Sequence, residues 1–94
     1  MEDKSISGIH CVVSGKVQGV FYRASTKDKA LSFNLTGWVR NLPNGDVELK
    51  AFGRADALQE LVNWLWDGPA KAIVKDIDVN HISIEHFNDF TVKN

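Results

Sequence analysis

The stretch GKVQGVFYR, residues 15–23, joins the first predicted strand of the chain to its first predicted helix. Apolar residues crowd positions 9–14 before it, and apolar side chains recur at helical spacing after it. Where a strand leads through a loop into a helix, the first backbone N–H groups have no partner inside the helix, and the helix dipole adds partial positive charge. The sequence therefore predicts an anion-binding loop at this junction.

The residue types within this loop suit that role. Gly15 and Gly19 lack Cβ, so they permit positive φ and let the oxygens of an anion approach the main chain. Arg23 falls about one turn into the predicted helix, where its guanidinium could bind two phosphate oxygens. A tight turn beside a solvated arginine explains the same residues, and short glycine patterns often match by chance. On the glycines alone, the simple turn is the favoured interpretation.

The rest of the chain predicts the order β-α-β-β-α-β. Predicted strands cover residues 9–14, 35–41, 46–52 and 77–86, and predicted helices cover about residues 21–33 and the segment from Asp56 to the stop at Gly68-Pro69. Asn34 suits a left-handed C-cap, and Leu42-Pro43-Asn44-Gly45 suits a hairpin turn. A change of hydrophobic phase predicts a bulge near Asn80 and His81. Phe90 and Val92 predict a short final strand.

This order predicts an α+β fold of the ferredoxin-like, split βαβ type, with two helices on one face of a four- to five-stranded antiparallel sheet. If the third strand lies between the first two, those two run parallel and end at the same edge. Asn41 then lies beside the loop, and counting by twos from Val39 points its side chain to the helix-covered face. The two outer strands are roughly 10 Å apart, enough for a phosphoryl group and one water. This convergence favours a binding site over a simple turn.

Composition sets modest bounds on function. A chain of 94 residues with 44% hydrophobic content fits one domain, residues 1–94. A net charge of -1 with interspersed signs gives no general attraction to nucleic acid or anionic membranes. The single cysteine, Cys11, cannot form an internal disulfide and is expected in the core, which suits a cytoplasmic location. No stretch predicts a signal peptide or a membrane span.

Metal and carboxylate chemistry find no support in the sequence. His10, His81 and His86 lack metal-ligand spacing with one another or with Cys11, so no metal or cofactor is expected. Acidic residues near the two segments belong to the hairpin turn and a solvated strand face. A mechanism based on paired carboxylates is therefore not expected.

The two segments together closely resemble the signatures of the acylphosphatase family. Residues 13–23 match its first signature, an aliphatic residue, any residue, then G-x-V-Q-G-V-x-aromatic-R, and the second signature is matched by Gly37, Trp38, Val39, Arg40, Asn41, Gly45, Val47 and Gly53. Gly68-Pro69, Ala72 and Val74 match the family's segment after its second helix. Tyr22 stands where Phe or Met is usual, and Asn34 replaces a frequent Gly. The resemblance spans nearly the whole chain.

The resemblance implies hydrolysis of the mixed anhydride in acyl phosphates, with Arg23 binding phosphate and Asn41 positioning water. Phosphate binding is then expected of the loop residues Gly15, Lys16, Val17, Gln18, Gly19 and Val20. The chemistry is consistent, because a carboxylate leaves without a general acid and phosphoryl transfer depends mostly on positioning and charge stabilisation. The expected partners are a small acyl phosphate and inorganic phosphate or another anion in the loop. Neither nucleic acid nor membrane is expected, and the protein is expected to be a monomer.

A non-catalytic module that senses phosphate or another anion remains the alternative, because fold does not dictate function. Such a module needs the loop and Arg23 but not Asn41. An RNA-binding role fits poorly, since the third strand presents Glu48 and Lys50 where stacking aromatics are needed.

Overall fold

The structure, a computed structural model, describes residues 5–93 and contains a five-stranded sheet with two helices. In chain order its elements are β1 (Ile6–Lys16), α1 (Tyr22–Ser32), β2 (Thr36–Asn41), β3 (Val47–Arg54), α2 (Ala55–Asp67), β4 (Ile73–Ile82) and β5 (Phe90–Lys93). The strand order is β4-β1-β3-β2-β5. The predicted ferredoxin-like α+β fold is confirmed, as is a final strand containing Phe90 and Val92. Because β5 runs parallel to β2 while β1–β3, β1–β4 and β2–β3 are antiparallel, the sheet is mixed.

The core lies between the helices and one face of the sheet. On β3 the side chains of Val47, Leu49 and Ala51 are fully buried, whereas Glu48 and Lys50 lie on the opposite, open face. The helix α2 buries Leu58, Leu61 and Leu65, and α1 buries Tyr22, Thr26 and Ala30. Each aliphatic side chain removed from water contributes about 1.5–3 kcal/mol. None of the helices within residues 5–93 is long and apolar enough to cross a membrane.

Cys11 belongs to this core, as predicted. Its side chain is fully buried and has no disulfide partner. Burial, with a smaller contribution from the charge of Asp78, raises the pKa of the thiol to about 12. The thiolate needed for nucleophilic chemistry is therefore disfavoured, and Cys11 acts as a small apolar residue.

Local signals correctly predicted how α1 ends and how β2 turns into β3. Asn34 has φ 59°, and the N–H of Leu35 donates to Ala30 O at 2.9 Å, which closes the helix end with a left-handed residue. At the hairpin, Leu42 N–H donates to Asp46 O at 2.8 Å, and Asn44 Oδ1 accepts the Asp46 N–H at 3.0 Å.

The bulge predicted near Asn80 and His81 was wrong. Those residues pair regularly with β1, and β4 ends at Ile82; the register shift lies instead between Ser14 and Gly15, opposite the start of β4. The misplacement has a physical reason, because β4 is a mostly exposed edge strand whose alternation carries little information. Gly15 suits the irregularity: its φ is 125°, and a Cβ there would lie 2.2 Å from Ile73 O.

Residues 83–89 cross the open face of the sheet, because β4 and β5 form opposite edges. Phe87 stacks on Phe52 with ring centroids 5.7 Å apart, and Glu85 Oε2 accepts a hydrogen bond from Lys50 Nζ at 2.8 Å. After this crossing, β5 runs parallel to β2, so the C-terminal ends of the two strands lie side by side.

Candidate active site

Four segments meet at one end of the sheet: the loop after β1, the start of α1, and the C-terminal ends of β2 and β5. They surround an open cavity of about 320 Å³, lined by Val17, Gly19, Phe21, Tyr22, Arg23, Ala24, Asn41 and Val92. This convergence follows from β3 pairing antiparallel with both β1 and β2. The prediction that Asn41 lies beside the loop is confirmed.

The loop presents backbone donors that residues 5–93 leave unpaired. Gly19 and Phe21 both have positive φ, at 74° and 64°, with one residue between them. Among residues 5–93, the N–H groups of residues 17–21 have no hydrogen-bond acceptor, and the first backbone bond of α1 runs from Ser25 N–H to Phe21 O. The first turn of α1 contains no acidic residue, so no side chain there offsets the positive end of the helix dipole. The segment has the features of an anion-binding nest.

Asn41 carries the clearest sign of a missing partner. Its Oδ1 is buried and accepts no hydrogen bond from any described residue. A buried acceptor without a partner typically costs about 1–3 kcal/mol, so such atoms are rare and call for an explanation. Because Asn41 lines the cavity, a bound molecule or an ordered water could complete this atom's hydrogen bonding.

The Arg23 side chain is held from the end of β5. Arg23 Nη1 donates to Lys93 O at 3.3 Å. A guanidinium carries five N–H donors in a planar fork, so one bond to a carbonyl leaves donors for a second group. Arg23 is only partly buried and lines the cavity, where a charged ligand can reach it.

Gln18 fastens the loop to the hairpin. Its Nε2 donates to Leu42 O and to Asp46 O, each at 2.8 Å, across 24 and 28 residues of sequence. Both protons of the amide are therefore used within the protein, and any contact of Gln18 with an anion is left to its backbone. Sequence reasoning missed this role, although an amide side chain, which offers two N–H donors, was the available signal.

The other predicted loop residues occupy different positions. Val17 and Gly19 line the cavity, whereas Gly15 and Lys16 form the end of β1. Val17 and Val20 are buried and join the hydrophobic core, so their side chains hold the loop from below. Direct phosphate contacts by all six predicted loop residues stay predictions: Gly15, Lys16, Val17, Gln18, Gly19 and Val20.

Tyr22 is a structural residue of this site. Its side chain is buried, and its hydroxyl donates to Leu65 O at 2.6 Å, which ties the start of α1 to α2. Thr26 Oγ1 in turn donates to Tyr22 O at 2.7 Å. Burial raises the pKa of the Tyr22 phenol well above its usual value, so the phenol stays protonated near neutral pH.

Titratable groups cluster on the open face of the sheet. Glu48 accepts hydrogen bonds from Arg40 Nε at 2.6 Å and is hydrogen-bonded to His10 Nε2 at 2.7 Å. Burial raises the pKa of Glu48, but these two partners outweigh it and hold the pKa below its usual value. Within residues 5–93, no group of three or more His, Cys, Asp and Glu side chains could hold a metal ion.

Comparison with known proteins gives consistent matches over nearly the full chain. Residues 9–92 match the family model described as acylphosphatase. An acylphosphatase of Coxiella burnetii (strain Dugway 5J108-111) is 48% identical over 92 residues, covering 98% of this chain and 97% of that protein. An acylphosphatase of Nitrosococcus oceani is 43% identical over 88 residues, covering 94% and 99%.

Solved structures agree with these matches. The structure of an acylphosphatase from Coxiella burnetii aligns with a TM-score of 0.92 at 47% identity, covering 99% of this chain and 98% of that one. The crystal structure of acylphosphatase from Bacillus subtilis aligns with a TM-score of 0.91 at 34% identity, covering 94% and 99%.

Proposed function

The chain belongs to the acylphosphatase family and hydrolyses acyl phosphates, and we propose that the loop amides, Arg23 and Asn41 carry out this reaction. The buried, unpartnered Oδ1 of Asn41 is the observation that carries the proposal. It supports a hydrolytic site because a cavity that only bound an anion would need donors and not an additional acceptor.

The phosphoryl group is bound by the loop and by Arg23. Unpaired N–H groups of residues 17–21 donate to phosphoryl oxygens, and the free donors of the Arg23 guanidinium bind the remaining charge. These donors are set before the substrate arrives, the loop by Gln18 and the guanidinium by Lys93 O. Preorganised donors stabilise the charge of the transition state without reorganising during the reaction.

Asn41 positions the attacking water. Its Oδ1 accepts a hydrogen bond from the water, and its amide N–H can donate to a phosphoryl oxygen. The water oxygen forms a bond to phosphorus while the bond from phosphorus to the acyl oxygen breaks, and the carboxylate leaves with the electron pair. The proton of the water passes to an oxygen of the phosphoryl group. No general acid is required because a carboxylate is a good leaving group, and positioning supplies most of the acceleration.

The proposal is tested by hydrolysis of benzoyl phosphate in the presence of EDTA. We expect rapid turnover by the wild type and a loss of about 10²–10³-fold in kcat for Asn41→Ala and Arg23→Ala, the usual effect of removing one preorganised group. Asn63→Ala is the matched control, since Asn63 is exposed on α2 and does not line the cavity. Thermal unfolding would verify that each variant is folded.

Three outcomes would contradict the proposal. A folded Asn41→Ala variant with near wild-type turnover would remove Asn41 from the reaction. Loss of wild-type turnover in EDTA, restored by a divalent metal, would show that the residues proposed here are insufficient. Phosphate binding without wild-type turnover would point to the anion-sensing alternative.

We further propose that the protein acts as a single-domain monomer in the cytoplasm. The match of one family model to residues 9–92 supports the single domain, and a buried, unpaired Cys11 is compatible with a reducing compartment. Light scattering of the purified protein would test the monomer, and fractionation of the source cells would test the location.

A further inference from the structure

Phe21 combines two features that stability does not explain. Its side chain is 82% exposed, and its backbone lies in the left-handed region with φ 64° and ψ 22°. A bulky residue in this conformation is an outlier, because Cβ crowds the backbone there and glycine or asparagine is accommodated more easily. Strained residues of this kind cluster at ligand sites. An exposed aromatic ring on a strained backbone thus suggests a ligand contact.

The exposed fractions of the lining residues indicate where Phe21 lies in the cavity. Phe21 and Asn41 line the same cavity, with Oδ1 of Asn41 buried and the Phe21 side chain mostly exposed. Val92 also lines the cavity and is 37% exposed. Asn41 therefore forms the floor of the cavity, while Phe21 and Val92 form its rim.

The geometry of phosphoryl transfer then orients the substrate. The attacking and leaving oxygens lie roughly in line through phosphorus. With the water held at the floor by Asn41, the leaving acyl group extends from the opposite side of phosphorus toward the rim. This step rests on the proposed function, because the orientation is taken from the role of Asn41.

Among residues 5–93, Arg23 is the only charged residue that lines the cavity. The remaining lining residues are uncharged, and most are apolar: Val17, Phe21, Tyr22, Ala24 and Val92. The ammonium of Lys93 lies over the Trp38 ring at 4.4 Å from its centroid, so it is already engaged by an aromatic face. An acyl group with its own negative charge would have to share Arg23 with the phosphoryl group.

We propose that Phe21 is a specificity-determining residue whose ring contacts the acyl group, so that the protein favours acyl phosphates with aromatic or extended aliphatic acyl groups. Val92 completes the apolar rim. Contact of the ring with an apolar acyl group removes surface of both partners from water. Acetyl phosphate, with a single methyl group, gains little from this contact.

The test compares kcat/KM for benzoyl phosphate and acetyl phosphate in variants at position 21. Phe21→Asn removes the ring while keeping a residue that accommodates positive φ, and Phe21→Leu keeps an apolar side chain. We expect Phe21→Asn to lower kcat/KM about fivefold more for benzoyl phosphate than for acetyl phosphate, through KM. The ratio of the two kcat/KM values for Phe21→Leu should fall between those of the wild type and Phe21→Asn. Trp66→Asn, at an aromatic that is 48% exposed on α2, is the control and should keep the wild-type ratio.

The outcomes separate this inference from the proposed function. If Phe21→Asn lowers kcat/KM equally for both substrates, the ring only maintains the loop and the specificity role is overturned. An unchanged ratio with full wild-type activity overturns it as well. If the wild type hydrolyses neither substrate, the proposed function fails, and the specificity role of Phe21 fails with it.

Discussion

The two ends of α1 differ in how completely their backbone groups are hydrogen-bonded. At the C-terminal end, Asn34 adopts a left-handed conformation and the N–H groups of Asn34 and Leu35 donate to Leu31 O and Ala30 O. At the N-terminal end, Phe21 is also left-handed, but no side chain caps the helix and the preceding loop amides have no acceptor among residues 5–93. The same backbone conformation closes one end and leaves the other open.

This difference indicates a structural role for the C-terminal end of α1 and a functional role for its N-terminal end. Backbone donors without a protein acceptor remain available to water or to a ligand. The N-terminal end of α1 faces a cavity that contains Arg23 and Asn41, whereas the C-terminal end leads directly into β2. We therefore expect perturbations at the N-terminal end to change activity and ligand response, and perturbations at the C-terminal end to change stability alone.

The largest expected effect is stabilisation of the protein by an anion bound at the N-terminal end of α1. Inorganic phosphate should bind the loop and Arg23, so at a phosphate concentration of 100 times Kd the free energy of unfolding rises by about 2.7 kcal/mol. Denaturant titrations with increasing phosphate would measure this rise. Arg23→Ala should abolish most of it, whereas Lys27→Ala, one turn further along α1, should retain it. A rise of equal size in both variants would indicate a general salt effect, and the open end would then not be an anion site.

Whether a feature could be predicted from the sequence depends on how far apart in the chain its interacting residues lie. The left-handed residue Asn34 and the hairpin at Asn44-Gly45 were predictable because Asn and Gly favour these conformations locally. The position of Asn41 beside the loop followed from strand topology. The bonds of Gln18 span 24 and 28 residues, and nothing in the type of residue at Phe21 favours positive φ, so neither was predictable from local pattern.

A smaller effect is expected from loosening the open end without touching the ligand. Gln18→Ala removes both bonds to the hairpin, which lets the loop shift relative to Asn41. Because a displacement of about 1 Å can cost up to 10²-fold in rate, we expect kcat for benzoyl phosphate to fall about tenfold. Gln59→Ala, which removes an exposed amide that donates to Asn63 on α2, is the matched control. If Gln18→Ala lowers stability but leaves kcat intact, the fastening is structural and the loop keeps its geometry without it.

The smallest effect is expected at the closed end. Asn34→Ala places a residue with a Cβ and no local hydrogen-bonding side chain at φ 59°, which should lower the free energy of unfolding by about 1 kcal/mol. The free energy of unfolding of Asn34→Gly should match that of the wild type to within about 0.5 kcal/mol. Glycine adopts this conformation without Cβ strain but loses more entropy on folding. Both variants should hydrolyse benzoyl phosphate at the wild-type rate when folded, as measured at a temperature well below unfolding. A fall in kcat for Asn34→Ala comparable to that of Gln18→Ala would mean that strain at one end of α1 reaches the other, and the two ends could no longer be treated as separate devices.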